Sequence, residues 1–291
     1  MNKQKLLISF SGGRTSAYMA WWLLNNMRHK YEMIVVFANT GKEREETLEF
    51  VNRCDIELGF NTVWVEACVH FYKNVGTTHV ITNFKDAERK GEPFDDVIFK
   101  YGIPNQNAPH CTRELKQRPI RSYANSINWN DCITALGIRS DEPKRLNWNK
   151  KNKERLLYFA ELMTVTKSDV NNFWSKQSFD LELTSYEGNC DLCYKKGLRK
   201  LMTITKDKPE LADWWREMEQ KYEMNDVRNS GKTPIRFFRD NMTIDDIIEE
   251  GKFPFEAAKD TSKEVETLRQ VSLWDEHLDS NGGCTESCEV F

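Results

Sequence analysis

Three of the eight cysteines in this chain have a spacing that could hold a metal ion or an iron–sulfur cluster. Cys190 and Cys193 form a C-x2-C pair, in which a turn can bring both sulfur atoms to one side, and Cys111 lies farther upstream. Cys284 and Cys288 could supply a further thiol. Disulfides are not expected, because the sequence shows no export signal and the cytosol keeps thiols reduced. The spacing leaves an iron–sulfur site, a zinc site and buried structural cysteines as alternatives.

The glycine pair Gly12–Gly13 could hold phosphate. It follows the apolar run Leu6–Ile8, which predicts a buried strand, and it precedes a helical pattern that begins near Ala17. Glycine allows backbone N–H groups to turn towards an anion, and the positive end of the helix dipole adds to the attraction. The neighbouring side chains that could add donors or charge are those of Ser11, Arg14, Thr15 and Ser16. A tight turn without a ligand is the alternative.

A third candidate group follows the apolar run Cys132–Ile138, which predicts another buried strand. Arg139 would then lie at the carboxyl end of that strand, where open α/β sheets bind ligands. Its guanidinium offers a fixed fork of donors to an oxyanion, and Arg145 could offer a second. Asp141 and Glu142 could orient these arginines or bind magnesium. A surface ion pair without a ligand is the alternative.

Three strings, met in this order along the chain, resemble the nucleotide-binding strings of the N-type ATP pyrophosphatases and the phosphoadenosine-phosphosulfate (PAPS) reductase family. SFSGGRTSAYM resembles their SGGxDS pyrophosphate loop, FANTGKEREETLEFV resembles the segment that flanks adenine and ribose, and LGIRSDEPKR resembles a GxRxDE string. The resemblance implies that the chain binds ATP, PAPS or its unphosphorylated analogue APS. The nucleotide-binding residues that it implies are Ser11, Gly12, Gly13, Arg14, Thr15, Ser16, Asn39, Thr40, Gly41, Arg139, Asp141 and Arg145. Thr15 stands where relatives that cleave ATP carry aspartate, a residue that would help to hold magnesium.

The cysteines extend the resemblance to about residue 200. Cys111 lies where cluster-bearing sulfonucleotide reductases have a CC pair upstream of a C-x2-C pair, although Thr112 replaces the second cysteine. The resemblance implies a [4Fe-4S] cluster, with zinc as the alternative metal. The implied ligands are Cys111, Cys190, Cys193 and, as the fourth, Cys288 or Cys284; an open corner that binds sulfide is the alternative to a fourth cysteine.

The resemblance implies two enzyme activities and leaves a third, non-catalytic possibility. In the first activity, ATP adenylates an acceptor so that sulfur can replace the activated oxygen, with Arg139 steadying the phosphate. In the second, the protein is a PAPS or APS reductase that releases sulfite, and Cys284 is the nucleophile. In the third, the nucleotide is bound but not consumed, and the metal site is structural. A sulfur or electron donor protein would be a partner of either enzyme.

The remaining apolar patterns predict the elements that must position these groups. Met33–Ala38 and Thr62–Glu66 predict two more strands, and Glu45–Val51 predicts a helix between them. Residues 70–110 predict a surface excursion with one short helix, and Pro119 should interrupt the helix that begins at Cys111. Further helices are expected in residues 167–176, 208–223 and 241–251. The pattern predicts an α/β fold with a doubly wound parallel sheet, as in the adenine nucleotide α-hydrolases. We expect a nucleotide-binding domain in residues 1–160 and a helical C-terminal region in residues 161–291.

Charge and composition restrict the partners. The net charge of −3 argues against a general nucleic-acid coat, so any RNA or DNA must be held locally. The basic segment of residues 144–155 is either such a local surface or a solvated loop. No run of apolar residues reaches the length of a membrane span, and we expect a cytoplasmic protein without a membrane partner. The sequence does not predict the oligomeric state.

Overall fold

The computed structural model describes residues 3–188, 190–229, 231 and 233–264. Within these residues, six strands form one sheet in the order β4-β3-β2-β1-β5-β6. The strands are β1 (Gln4–Phe10), β2 (Tyr31–Asn39), β3 (Val63–Cys68), β4 (Thr78–Thr82), β5 (Ile133–Leu136) and β6 (Leu156–Tyr158). β4 is antiparallel to β3, and every other neighbouring pair in this sheet is parallel. The predicted α/β class with a mainly parallel sheet is confirmed.

In the described residues, helices connect most of the strands, and further helices come after the last strand, β6. The α-helices are α1 (Arg14–Asn26), α2 (Glu45–Leu58), α3 (Glu92–Tyr101), α4 (Arg118–Ser126), α5 (Trp148–Glu154), α6 (Lys167–Trp174), α7 (Leu198–Asp207), α8 (Ala212–Tyr222) and α9 (Ile244–Glu250). A π-helical turn, Thr112–Gln117, directly precedes α4. Short 3-10 turns occur at Pro143–Arg145, Phe159–Glu161, Pro209–Leu211 and Arg239–Asn241. None of the helices in the described ranges combines the length and the apolar character that a membrane crossing needs.

β1 is buried at the centre of the sheet. Leu6, Leu7 and Ile8 are at most 1% exposed, because β2 and β5 flank the strand and helices cover both of its faces. A strand buried in this way is an uninterrupted apolar run rather than an alternating one. The chain leaves β1 through α1 towards β2, whereas β5 lies on the other side of β1. The strand order therefore reverses beside β1, and open α/β sheets bind ligands at such a point, outside the carboxyl ends of the strands.

Two local expectations differ from the structure. The segment of residues 70–110 contributes the edge strand β4 as well as the expected helix α3, because the β-branched run Thr78–Thr82 pairs with β3. Pro119 marks a change from π-helix to α-helix rather than a break. It lies in the first turn of α4, where the N–H that proline lacks is not required.

The helices after β6 pack into two separate cores. α6 packs on α1, with the rings of Tyr18 and Phe173 4.7 Å apart, and thereby joins the core of the sheet. α7, α8 and α9 instead form a core with α3 around Trp215, whose ring lies 4.9 Å from that of Phe237. The division of the chain near residue 160 stays a prediction. The basic segment of residues 144–155 forms a 3-10 turn and α5 rather than an extended loop.

Candidate functional site

The loop between β1 and α1, residues 11–13, is called the glycine loop below. Gly12 has φ +80°, a conformation that favours glycine, and a Cβ there would lie 2.5 Å from Cγ2 of Thr47. Gly13 is the N-cap of α1, and it has no side chain that could cap the helix. The first turn of α1 carries no acidic residue. The positive end of the helix is therefore suited to an anion supplied by a ligand.

The serines of the glycine loop hold its shape. Ser16 is fully buried, and its hydroxyl donates to the carbonyl oxygen of Gly13 at 3.0 Å and accepts from the N–H of Ser11 at 3.2 Å. The two serine hydroxyl oxygens lie 2.9 Å apart. These contacts preorganise the loop before any ligand binds. The predicted role of Ser16 as a donor to phosphate competes with these internal bonds.

Arg14 has a structural partner in the described chain. Its guanidinium donates to both carboxylate oxygens of Asp180, at 2.6 and 3.0 Å, and to the carbonyl oxygen of Leu181. Its carbonyl oxygen accepts from Nε1 of Trp174 at 3.0 Å. The side chain is buried and its charge is paired with a carboxylate. Arg14 therefore connects Asp180, in the segment after α6, to the start of α1. Its predicted role at a phosphate stays a prediction.

Arg139 lies beside the start of α1, as the sequence predicted. Its Nη1 donates to Oγ1 of Thr15 at 3.2 Å, although the two residues are far apart in the chain. The approach is close because Gly137 has no side chain: a Cβ there would lie 2.9 Å from Cα of Ser16. Thr15, which stands where the ATP pyrophosphatases that this chain resembles carry aspartate, thus offers an uncharged oxygen to a buried guanidinium.

Acidic side chains hold Arg139 in place. Asp141 accepts from Nε of Arg139 at 2.8 Å and from the backbone N–H of Lys167 at 2.9 Å. Glu142 lies 3.8 Å from Nη2 of Arg139 and accepts from Arg145 at 2.6 Å. Orientation of the arginines, one of the two roles predicted for Asp141 and Glu142, matches this geometry. Magnesium binding by Asp141 stays a prediction.

The turn after β2, predicted to flank adenine and ribose, is tightly packed inside the protein. Asn39 is fully buried and donates to Glu66 at 2.6 Å and to the carbonyl oxygen of Glu88 at 2.8 Å. Gly41 has φ +77° and donates its N–H to Oδ1 of Asn39. Burial raises the pKa of Glu66. These bonds fix the turn, and they show that Asn39 already has protein partners.

Cys111, Cys190 and Cys193 line one cavity, which is called the cysteine cavity below. It has an empty volume of about 390 Å³, including space open to solvent, and Thr40 and Lys116 also line it. Sγ of Cys190 lies 3.4 Å from Oγ1 of Thr40 at the end of β2. The segment before the π-helical turn and the C-x2-C pair are therefore brought together, as the spacing argument required.

The C-x2-C segment is docked on the turn after β2. Glu43 and Cys190 form an antiparallel bridge, and the N–H of Asp191 donates to the carbonyl oxygen of Lys42 at 2.9 Å. Nζ of Lys42 is 3.0 Å from the carboxylate of Asp191, which also accepts from Nε1 of Trp215 at 2.8 Å. Asp191 thus connects the sheet to the core of α8. The sequence analysis missed this residue, although it lies inside the C-x2-C pair.

The electrostatics around Cys190 keep its thiol protonated. Burial, and then the nearby carboxylate of Glu43, raise the pKa of Cys190 well above its ordinary value, while Lys116 acts in the opposite direction. Nζ of Lys116 lies 3.3 Å from Glu43. A metal that binds a thiol of this kind displaces its proton.

Two further side chains at the cavity were not singled out in the sequence. Oη of Tyr194 lies 3.3 Å from Sγ of Cys111, and Nζ of Lys195 donates to Oγ1 of Thr112 at 3.0 Å. Both residues directly follow Cys193, so their proximity to the C-x2-C pair was the available signal. Thr112 stands where the reductases that this chain resembles carry a second cysteine, and here it accepts a hydrogen bond.

The thiols that line the cysteine cavity are the type of ligand that binds an iron–sulfur cluster. Thiols from two segments surround one cavity, and the cysteines of a cluster bind different iron atoms, so they do not have to converge on one point as zinc ligands do. Among the described residues, no group of three or more His, Cys, Asp or Glu side chains is arranged to hold one metal ion. Cys284 and Cys288, predicted as nucleophile and fourth ligand, lie outside the described residues.

The glycine loop, Arg139 and the cysteine cavity all lie at the carboxyl edge of the sheet. The glycine loop follows β1, Arg139 follows β5, and Thr40, which lines the cysteine cavity, follows β2; β1 is hydrogen-bonded to both of the other strands. This arrangement defines the class: an α/β protein with a candidate ligand site at the edge of a mainly parallel sheet.

The chain belongs to the family of a phage protein. It is 30% identical to the "Uncharacterized nin region protein ORF290" of Escherichia phage lambda over 289 residues, which cover 98% of this chain and 94% of the phage protein. It is also similar to the "Uncharacterized protein MJ0066" of Methanocaldococcus jannaschii, with 22% identity over 237 residues. That match covers 76% of this chain and 42% of the archaeal protein, so it spans less than half of the archaeal protein. No model of a protein family matches the chain.

Proposed function

We propose that this protein binds ATP or a related adenine nucleotide, carries an iron–sulfur cluster in the cysteine cavity and performs nucleotide-activated sulfur transfer. The observation that supports this most is the position of the glycine loop after β1, of Arg139 after β5, and of the cysteine cavity against Thr40 at the end of β2, because these three strands are neighbours in the sheet. The resemblance to the PAPS reductase family supports the same proposal, because its strings fall on these loops.

The nucleotide's phosphates would lie at the start of α1. Ser11 and Ser16 preorganise the loop there, and the unsatisfied N–H groups of the first helical turn and the helix dipole favour an anion. Arg139 would donate to the phosphate that becomes more negative during the reaction, since Asp141 and Glu142 fix its direction. Magnesium would accompany the phosphates. The acceptor's oxygen would attack the α-phosphorus, and pyrophosphate would leave as the bond between the α- and β-phosphates breaks.

The cysteine cavity would serve the second half of the reaction. Cys111, Cys190 and Cys193 would hold the cluster, and a cluster at this position supplies a site that carries or positions sulfur. Sulfur at the oxidation level of sulfide would then replace the activated oxygen of the acceptor, and AMP would leave without a net redox change. Such a reaction requires a sulfur donor, which we propose to be a partner protein.

The acceptor, in this proposal, is an RNA or DNA that contacts the basic segment of residues 144–155. Trp148 on α5 is 54% exposed, and Nζ of Lys151 lies 5.1 Å from the centre of its ring. An exposed aromatic ring beside cations is suited to stacking on an unpaired base. Burial, followed by the charges of Arg121 and Lys195, lowers the pKa of Lys150 on α5, and Lys195 also lines the cysteine cavity.

The second candidate function is a PAPS or APS reductase. Cys111 upstream of a C-x2-C pair, on one cavity, favours it. A thiol would attack the sulfur of the bound sulfonucleotide, and a thiol reductant would then release sulfite. Cys284 would be the nucleophile in that case.

Metal content tests the cluster. The protein is purified without oxygen, and its iron, acid-labile sulfide, zinc and visible absorbance are measured. We expect iron and sulfide in the wild type and their loss in Cys190→Ala and Cys193→Ala. The matched control is Cys132→Ala, which removes a half-buried thiol at the beginning of β5. Stoichiometric zinc without sulfide would contradict the cluster.

Product analysis separates the activities. Release of pyrophosphate and AMP from ATP in the presence of RNA or DNA and a sulfide source supports sulfur transfer. Sulfite released from PAPS or APS with a thiol reductant supports the reductase instead. Tight nucleotide binding with neither product would leave a non-catalytic nucleotide-binding protein, the third possibility.

A further inference from the structure

A second, larger concavity lies away from the cysteine cavity. It is lined by two segments, residues 105–108 and residues between Arg228 and Asn241, and it has a volume of about 960 Å³. This is at the upper end of the roughly 300–1,000 Å³ that ligand pockets usually measure. The concavity therefore has room for several nucleotide units, and the chemistry of its lining indicates which ligand it suits. We call this concavity the arginine groove.

The lining of the arginine groove is positively charged. Three arginines line it. Among the described residues that line the groove, Asp240 is the acidic one. The arginines are Arg228, Arg236 and Arg239. The whole chain has a net charge of −3, so this local excess of positive charge is not a general property of the surface. A guanidinium presents a planar fork of donors that matches phosphate oxygens.

Contacts within the protein fix the positions of two of these arginines. Nη2 of Arg228 donates to the carbonyl oxygen of Ile103 at 3.1 Å, and Arg236 forms an ion pair with Glu223. Each guanidinium has five N–H donors, so these contacts are compatible with further bonds to a ligand. Charges that are held in place in this way lose less entropy when an anion binds.

Amide side chains accompany the arginines. Asn105 shapes the turn: its side-chain oxygen accepts from the N–H groups of Asn107 and Ala108, both at 3.1 Å, and its amide nitrogen donates to the carbonyl oxygen of Arg236. Gln106 and Asn107 are exposed at the tip of this turn, on the lining of the groove. An amide has both donors and acceptors and can pair with the edges of unpaired bases.

The groove adjoins the cysteine cavity through a short piece of chain. The turn of residues 105–108 leads within three residues to Cys111. His110 lies between them, and its Nε2 lies 3.0 Å from the carbonyl oxygen of Gly102.

We propose that the arginine groove binds a single-stranded polynucleotide, whose phosphates contact Arg228 and Arg239 and whose bases face Gln106 and Asn107. A strand in this groove would pass close to Cys111. The inference goes beyond the proposed function, because the groove can bind a strand whether or not the protein holds a cluster or consumes a nucleotide.

Fluorescence anisotropy with labelled oligonucleotides tests this inference. Single-stranded RNA and DNA of about 12 nucleotides, within the usual site sizes, are titrated with the full chain at several salt concentrations. The double variant Arg228→Gln/Arg239→Gln removes two charges from the groove. The matched control Lys252→Gln/Lys259→Gln removes two exposed charges elsewhere. The RNA and DNA arms show which strand is preferred.

We expect the groove variant to bind at least tenfold more weakly than the wild type, and the control to bind as the wild type does. The slope of log K against log salt should become shallower by about 1.4, since each phosphate contact on a single strand contributes about 0.7. Asn107→Ala keeps the charge and removes an exposed amide, so it serves if the double variant does not fold. It should weaken binding without changing the salt slope.

Three results would overturn the inference. The first is no binding of either strand at low salt. The second is an equal loss of binding in the groove variant and the control. The third is displacement of the strand by an equal concentration of polyglutamate, which would indicate a groove for acidic peptides. Metal content and ATP binding are measured on the same groove variant and are expected to be unchanged, so a failure of strand binding is separate from a failure of the cluster or of the nucleotide site.

Discussion

The glycine loop and the cysteine cavity lie on the same edge of the sheet, yet they are built in different ways. The glycine loop is a local structure: Ser11 and Ser16 bond each other across five residues, and the positive end of α1 faces the same space. The cysteine cavity is assembled from distant segments, which the ion pair between Lys42 and Asp191 and the core around Trp215 hold together.

This difference determines which substitutions should disrupt each region. A local loop depends on the conformation of single residues, so one added carbon atom can disrupt it. A cavity assembled from separate elements depends on the packing of those elements, so its integrity follows the stability of the helices that carry it. Substitutions in each region should therefore have different effects.

Gly12→Ala should have the largest effect, because it combines a strained φ with the contact to Thr47. We expect a loss of about 4 kcal/mol in the free energy of unfolding from strain and overpacking. The measurement is denaturant unfolding followed by circular dichroism. Gly59→Ala is the control, since Gly59 also has positive φ (+67°) but a Cβ there meets nothing within 4 Å. Equal losses in the two variants would contradict the importance of close packing at the glycine loop.

Glu219→Gln should change how stability depends on pH. Glu219 on α8 is 4% exposed and accepts from the N–H of Ile244 at the start of α9. Burial raises its pKa from 4.5 to about 7; Arg236 opposes this rise, and Asp245 and Asp246 add to it. A carboxyl group whose folded-state pKa is raised stabilises the fold fully below pH 4.5, and this contribution is lost as the pH rises through about 7.

For Glu219 the expected loss is about 3 kcal/mol between pH 4.5 and pH 7.5, and the variant should lack this part of the pH dependence. The free energy of unfolding of both proteins is compared across this range. Parallel curves would show that Glu219 titrates normally. If the cysteine cavity depends on α8 as we infer, iron retention in the wild type should fall with the same pH dependence.

Arg139→Ala should weaken nucleotide binding without unfolding the protein. A charge-assisted hydrogen bond contributes roughly 1.5–3 kcal/mol, so we expect a loss of affinity of about tenfold to a hundredfold. Calorimetric titration with ATP and with a non-hydrolysable analogue measures it. An unchanged affinity, in a variant with unchanged thermal stability, would remove Arg139 from the nucleotide site.

Arg14→Gln should lower the stability of the protein and leave its nucleotide affinity nearly unchanged, the opposite of Arg139→Ala. Arg14 pairs with Asp180, whose side chain is 26% exposed, so we expect a loss of about 1–2 kcal/mol in stability from a partly solvated pair. Nucleotide affinity should stay within about twofold of the wild type, because the guanidinium is engaged by Asp180 and Leu181. A large loss of affinity with normal stability would instead support the role at a phosphate that the sequence analysis gave to Arg14.

The elements around β1 could be predicted because their signals are local. The apolar run that became β1 and the glycine after it each act within a few residues, and the strand and the turn follow from those residues. β4 was missed because its residues are half exposed at a sheet edge, and only pairing with β3 makes them a strand. The roles of Arg14 and Asn39 could not be predicted, because their partners Asp180 and Glu66 are distant in the chain.

Short-range patterns predicted the strands β1, β2, β3 and β5, the parallel character of these strands, the glycine turn and the cysteine spacing, because each depends on neighbouring residues. The folded chain was needed to show that Arg139 reaches Thr15, that Cys111 shares a cavity with Cys190 and Cys193, and that Arg14 turns to Asp180. Contacts of this second kind depend on which strands become neighbours in the sheet and how the helices pack. That is a property of the whole chain, and short-range patterns do not encode it.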